Sequence, residues 1–168
     1  MKKMLMMAVM FCLTATAANA QDVFKILLED SKNVANDKSK DLETRKIATF
    51  KYDALSYMSM QVRDAVLRDS TNLEFFNQTM TMLNEQSMAL QDFITEFLKR
   101  YGVAKKKEDR ELVMAVFRNA SMANPMYGDK DSDLVLAYYK NETNYITRFS
   151  LDTDWVKALA AARAWKWK

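Results

Sequence analysis

Three stretches of this chain carry residue types whose spacing suits chemistry. Asp129, Asp131 and Asp133 alternate as the carboxylates of an EF-hand calcium loop do. The pattern then fails, because the sixth position is Leu134 where the loop needs glycine and the twelfth is Lys140 where it needs a bidentate glutamate. These aspartates are better read as a polar loop that caps helices. Lys51 falls inside the apolar sector of a helix, between Ile47 and Ala54, where a desolvated amine would have a lowered pKa. A lysine stem lying over apolar surface with its ammonium in water accounts for it more simply. The C-terminus gathers all three tryptophans, Trp155, Trp165 and Trp167, and ends Trp165-Lys166-Trp167-Lys168. Trp165 and Trp167 stand about 200° apart on a helix, so one of them should be exposed. Alternating Trp and Lys suits a partner contact or a membrane interface, and Trp165, Lys166, Trp167 and Lys168 are the candidate contact residues.

What the chain lacks narrows the chemistry further. It has no His and a single Cys, at position 12, so imidazole bases, a Ser/His/Asp triad and the usual zinc ligands are missing. No catalytic, cofactor-binding or metal-ligating set emerges, and no pair of carboxylates is distinguished from the others. A glycan hydrolase working through a carboxylate acid therefore stands only as the alternative to a binding protein. The basic run Lys105 to Lys107 near Lys99 and Arg100 has the charge to meet an anionic lipid or polysaccharide. Glu108, Asp109 and Glu111 follow it directly, which favours a solvated loop between helices.

The elements that position these residues are helical. Two Gly and one Pro in 168 residues leave too few turn formers for a sandwich or barrel, and 49% hydrophobic residues are enough for a packed core. Met1 to Ala20 reads as a cleavable secretory signal, with Lys2 and Lys3, an apolar run from Met4 to Leu13 and the ending Ala18-Asn19-Ala20. Cleavage is expected between Ala20 and Gln21, giving a soluble product in the periplasm or medium. Lipid attachment at Cys12 is a poorer reading, because Phe11 precedes it. Without Lys2 and Lys3 the 25 basic residues become 23 against 22 acidic ones, a balance that gives nucleic acid no basic surface.

Residues 21–168 are read as one helical domain, with a bundle over 21–124 and a C-terminal helical segment over 129–168. A first helix carries Val23, Phe24, Leu27, Leu28, Val34 and Ala35. Asp41 caps a second that carries Ile47, Phe50, Ala54, Met58 and Val62 and runs to about Leu67. After the break at Asp69 to Asn72, Leu73, Phe76, Met80, Leu83, Ser87, Leu90, Ile94, Phe97 and Tyr101 follow at steps of three and four. Gly102 is expected to close that helix in a left-handed conformation. A fourth helix with Leu112, Val113, Val116, Phe117 and Ala120 stops near Asn124, before Pro125. A loop to Asp131, a short helix over Ser132 to Lys140, an irregular stretch and a last helix opened by Asp152 or Thr153 complete the chain. The expected fold is all-α, an antiparallel bundle of about four helices with a helical C-terminal hairpin. A tetratricopeptide array is rejected, since Val113, Phe117, Ala120 and Pro125 match only half of one unit and nothing recurs.

The segments Arg45-Lys-Ile-Ala-Thr-Phe-Lys-Tyr-Asp-Ala-Leu-Ser-Tyr-Met58 and Ile146-Thr-Arg-Phe-Ser-Leu-Asp-Thr-Asp-Trp-Val-Lys-Ala-Leu159 lie behind a signal of this type. Together they resemble small exported all-helical proteins of unknown function from Bacteroidota. That resemblance implies a periplasmic or secreted setting and no particular activity. Residues and resemblance together point to an exported binding, adaptor or structural protein whose partner is another envelope protein.

Overall fold

The structure, a computed structural model, describes residues 23–69, 71–131, 135–136, 138 and 148–167. All regular structure among them is helical: α1 (Val23–Asn36), α2 (Leu42–Arg68), α3 (Leu73–Val103), α4 (Lys107–Met122) and α5 (Trp155–Ala164). The all-α class is as the composition predicts. Met1 to Ala20, read from the sequence as a signal, and most of the helix expected over Ser132 to Lys140 lie outside the described residues, as does the stretch from Asn141 to Thr147.

Local chemistry sets most of the helix ends. Asp41 accepts from the Thr44 N–H at 2.9 Å and caps α2, as predicted. Asn72 does the same for α3 through the Phe75 N–H at 3.0 Å. α4 starts at Lys107 with no side-chain cap, and Glu108 and Asp109 in its first turn answer the helix dipole. It closes at Met122, ahead of Asn124 and Pro125.

Two ends differ from expectation. Gly102 is not a left-handed cap, because α3 continues through it to Val103 and Ala104 closes the helix in an extended conformation. The Ala104 N–H donates to the Arg100 carbonyl at 3.2 Å, and the Ala104 carbonyl accepts from Arg110 Nε at 2.8 Å. With both backbone groups satisfied, no left-handed residue is needed. Gly128 takes the positive φ, 64°, in the loop after Pro125. The last helix is capped by Asp154, whose Oδ1 accepts from the Lys157 N–H at 3.1 Å, and not by Asp152 or Thr153, whose side chains are committed elsewhere.

One core draws on all five helices. α3 lies at its centre and packs on each of the other four, while α5 also packs on α4 and α1 on α2. Trp155 is fully buried and meets Phe50 and Phe93 edge to face, at ring separations of 5.9 and 5.3 Å. Phe149 stands against Phe50, Phe93 and Phe97, and Phe117 against Phe93 and Phe97. Edge-to-face contacts of this kind contribute about 0.5–1.5 kcal/mol each beyond the area they bury. Ser87, the polar interruption of the α3 stripe, donates to the Leu83 carbonyl and so enters the core satisfied.

The stripe read along α3 is not buried throughout. Leu73 is 70% exposed and Phe76 is also open to solvent, because at 31 residues α3 outruns the elements packed on it. Leu112, placed on the buried stripe of α4, is 47% exposed, and Met114 turns inward instead.

Candidate functional site

α2 and α3 are much the longest of the five helices, and their joined ends extend alongside the start of α1. Between these three lies an open groove of about 400 Å³. Phe24 of α1, Val62 and Val66 of α2, and Phe76, Met80 and Leu83 of α3 form its apolar wall. Lys25 and Arg63 stand at its edges. Phe24 is anchored from across the groove, since its N–H donates to Asn84 Oδ1 of α3 at 2.9 Å. That bond satisfies one of the amides left open at the start of α1 and sets where α1 begins. Leu67, also in the lining, is largely exposed. Ser59 and Thr79 are the hydroxyl groups of the lining.

The aspartates singled out in the sequence are structural where they are described. Asp152 is buried and its carboxylate is saturated by backbone amides: Oδ1 accepts from Met126 and Tyr127, and Oδ2 from Asp129, all within 2.9 Å. Asp129 in turn accepts from the Tyr57 hydroxyl at 3.0 Å and from Gln61 Nε2 at 2.8 Å. The Asp131 N–H bonds Asp129 as well, and these donors hold its carboxyl below the ordinary carboxylate range. Asp133, the third residue of the calcium-like pattern, lies outside the described residues. Among the described residues no three acidic, His or Cys side chains group as metal ligands.

Among the described residues, the carboxyls of Asp37, Asp41, Asp129 and Asp154 are displaced downward. At Asp154 burial acts in the opposite direction, and hydrogen bonds from Lys157 and Gln86 outweigh it.

Lys51 is half-buried at a cleft of about 170 Å³ between α1 and α2, where the side chain of Leu98 on α3 also reaches. Its Nζ donates to Gln91 Oε1 at 2.7 Å, which the reading of an ammonium in open water had missed. Burial pushes its pKa down, and Asp30 partly opposes that. Ser31 lines the same cleft with its hydroxyl buried.

The C-terminal candidates separate. Trp165 is 48% exposed, and Lys166 beside it is exposed. Trp167 is half-buried, tilted against the Phe117 ring at 6.1 Å with the Arg100 guanidinium 4.4 Å from its own centroid. Lys168 lies outside the described residues. The stacking of Trp167 presents Trp165 on the outside of the turn that follows α5.

No family model, curated protein or solved structure matches this chain. Sequence reading missed the groove, although Phe76 and Met80 both lie on the stripe it identified. Relative helix length was the available signal, since 27 and 31 residues in α2 and α3 cannot both be covered by helices of 14, 16 and 10.

Proposed function

We propose that this chain is an exported, non-catalytic binding protein of the cell envelope, and that the groove at the joined ends of α2 and α3 receives an apolar segment of an envelope partner. The observation that carries this reading is the groove itself, an apolar surface that includes the exposed Leu67 and Phe76 and that none of the described elements covers. An amphipathic helix laid between α1, α2 and α3 would bury these side chains in the way a further helix of the bundle does. The short connections 37–41 and 69–72 favour an antiparallel bundle for the first helices, against which the C-terminal segment folds as a helical hairpin. Export rests on the pattern of Met1 to Ala20. Among the described residues no helix is long and apolar enough to cross a membrane.

The test places a photo-crosslinking residue at Phe76 or Leu67 in the full chain and, as controls, at the exposed apolar positions Met88 and Val156. Discrete adducts from the first pair only, in the periplasmic or secreted fraction and on a chain beginning at Gln21, are the expected result. Equal adducts at all four positions, or an intact chain retained in the cytoplasm, would refute the reading.

A further inference from the structure

Helical intervals on α1 and α2 bring a mixed set of side chains to the cleft beside Lys51. α1 contributes Asp30, Ser31 and Val34, α2 contributes Ile47 and Lys51, and Leu98 of α3 closes the remaining side. At about 170 Å³ the cleft falls below the roughly 300–1,000 Å³ of pockets for drug-sized ligands and suits a smaller molecule. Asp30 and Leu98 are exposed, so the cleft opens to solvent on their side.

Ser31 is buried, and its hydroxyl has no hydrogen-bond partner among the described residues. Other helical hydroxyls of this chain return to the carbonyl four residues back, as Thr49 does to Arg45 and Ser87 to Leu83. Thr44, the other hydroxyl at the lining, is committed to Asp41 at 2.7 Å. A buried polar group left unpaired is costly, and a ligand atom that accepts from it removes that cost. Lys51 has N–H groups beyond the one given to Gln91, and burial withdraws water from them. Asp30 acts on that ammonium through its charge, and no direct ion pair joins the two. A lone anion in the cleft would meet the charge of Asp30 and a lone cation that of Lys51, so a ligand carrying both charges close together is the best match.

We propose that this cleft binds a free aliphatic α-amino acid. Its carboxylate accepts from Lys51 Nζ and the Ser31 hydroxyl, its ammonium faces Asp30, and its side chain lies against Val34, Ile47 and Leu98. The site shares no lining residue with the apolar groove and does not rest on what binds there.

Titration calorimetry of the purified protein tests this with D- and L-valine as probes, against isovalerate, which lacks the ammonium, and isobutylamine, which lacks the carboxylate. Saturable binding of at least one enantiomer, at least about tenfold tighter than either analogue, is expected, since each analogue lacks one charge-assisted contact. Ser31→Ala should weaken it about tenfold, the loss of one hydrogen bond to a charged group, and Lys51→Met should remove it. Asp30→Asn should weaken valine and strengthen isovalerate, whereas Glu29→Gln, an equal change of charge at an exposed position of α1, should alter neither. Asp30 is exposed, and Ser31→Ala and Lys51→Met each remove a polar group from a buried setting, so none of these changes threatens the fold, and melting temperatures verify this. Absence of saturable binding of both enantiomers at millimolar concentration overturns the proposal. So does either analogue binding as tightly as valine. An equal loss in Asp30→Asn and Glu29→Gln overturns it as well, because the effect would then be one of overall charge.

Discussion

The Tyr57 hydroxyl donates to Asp129 Oδ2 at 3.0 Å, joining the middle of α2 to a loop 72 residues further along the chain. The N–H of that same Asp129 donates to Asp152 Oδ2 at 2.9 Å, so the loop after Pro125 is held from two sides. Asp152→Ala would leave three amides without their acceptor and should cost about 3 kcal/mol or more, since hydrogen bonds to a charged group contribute about 1.5–3 kcal/mol each. Tyr57→Phe should cost less. Urea denaturation checks both against Lys130→Ala, a change at an exposed position of the same loop. A loss for Asp152→Ala no greater than for that control would show that the loop is not held this way.

The two glycines should respond in opposite directions. Gly102 is helical with open space where a Cβ would sit, so Gly102→Ala should raise stability by up to about 1 kcal/mol. Gly128 has φ 64°, and Gly128→Ala should lower stability by about 1–2 kcal/mol. Melting temperatures that move in the same direction would contradict these backbone assignments.

Stability should fall at both extremes of pH. Asp129 and Asp41 have folded pKa values below 3.8, so their contribution is complete above that value and is lost as pH drops through the folded pKa. At the other extreme, burial first and the Asp152 charge second push Tyr127 up to about 12. Tyr57 and Tyr138 are raised too, mainly by burial, and hydrogen bonds to Asp129 and Asp53 add to the effect. The unfolded chain releases these phenolic protons near pH 10 while the folded chain retains them, so stability should decline from pH 10 upward. A melting temperature that stays level between pH 9 and 11.5 would contradict this.

Lys51 works in the opposite sense. Its folded pKa lies below 10.5, so the charged form is disfavoured by folding, and the penalty disappears as pH rises through the folded and then the unfolded value. Lys51→Met should therefore raise the melting temperature at pH 7. Its advantage over the wild type should shrink toward pH 10.5, and a constant difference across that range would remove burial as the cause.

The tryptophans should rank by their surroundings. Trp155→Ala should cost about 3–5 kcal/mol, as expected for a large aromatic removed from a packed core. Trp167→Ala should cost less, through its contacts with Phe117 and Arg100, and Trp165→Ala should stay within about 0.5 kcal/mol. Equal losses at Trp165 and Trp167 would show that the C-terminal turn is not anchored through Trp167.

The helical class, the cap at Asp41 and the breaks at Asp69 to Asn72 and at Pro125 were legible in the sequence, because each follows from residues within a turn or two or from a repeating apolar interval. The roles of Asp152, Gln86 and Asn84 were not. Gln86 accepts from the Trp155 N–H at 2.7 Å across 69 residues, and Asn84 accepts from the Phe24 N–H across 60. A side chain that caps a remote backbone leaves no interval for a periodic pattern to register, and Asp152 looked like a helix opener for that reason. The groove and the Lys51 cleft likewise depended on which part of α3 the other helices cover, and on where Ser31 comes to lie against α2. Local propensity and amphipathicity set which residues are helical, whereas burial of the shared aromatic core selects one relative placement of the helices, and only that placement determines which apolar and charged side chains are left facing water.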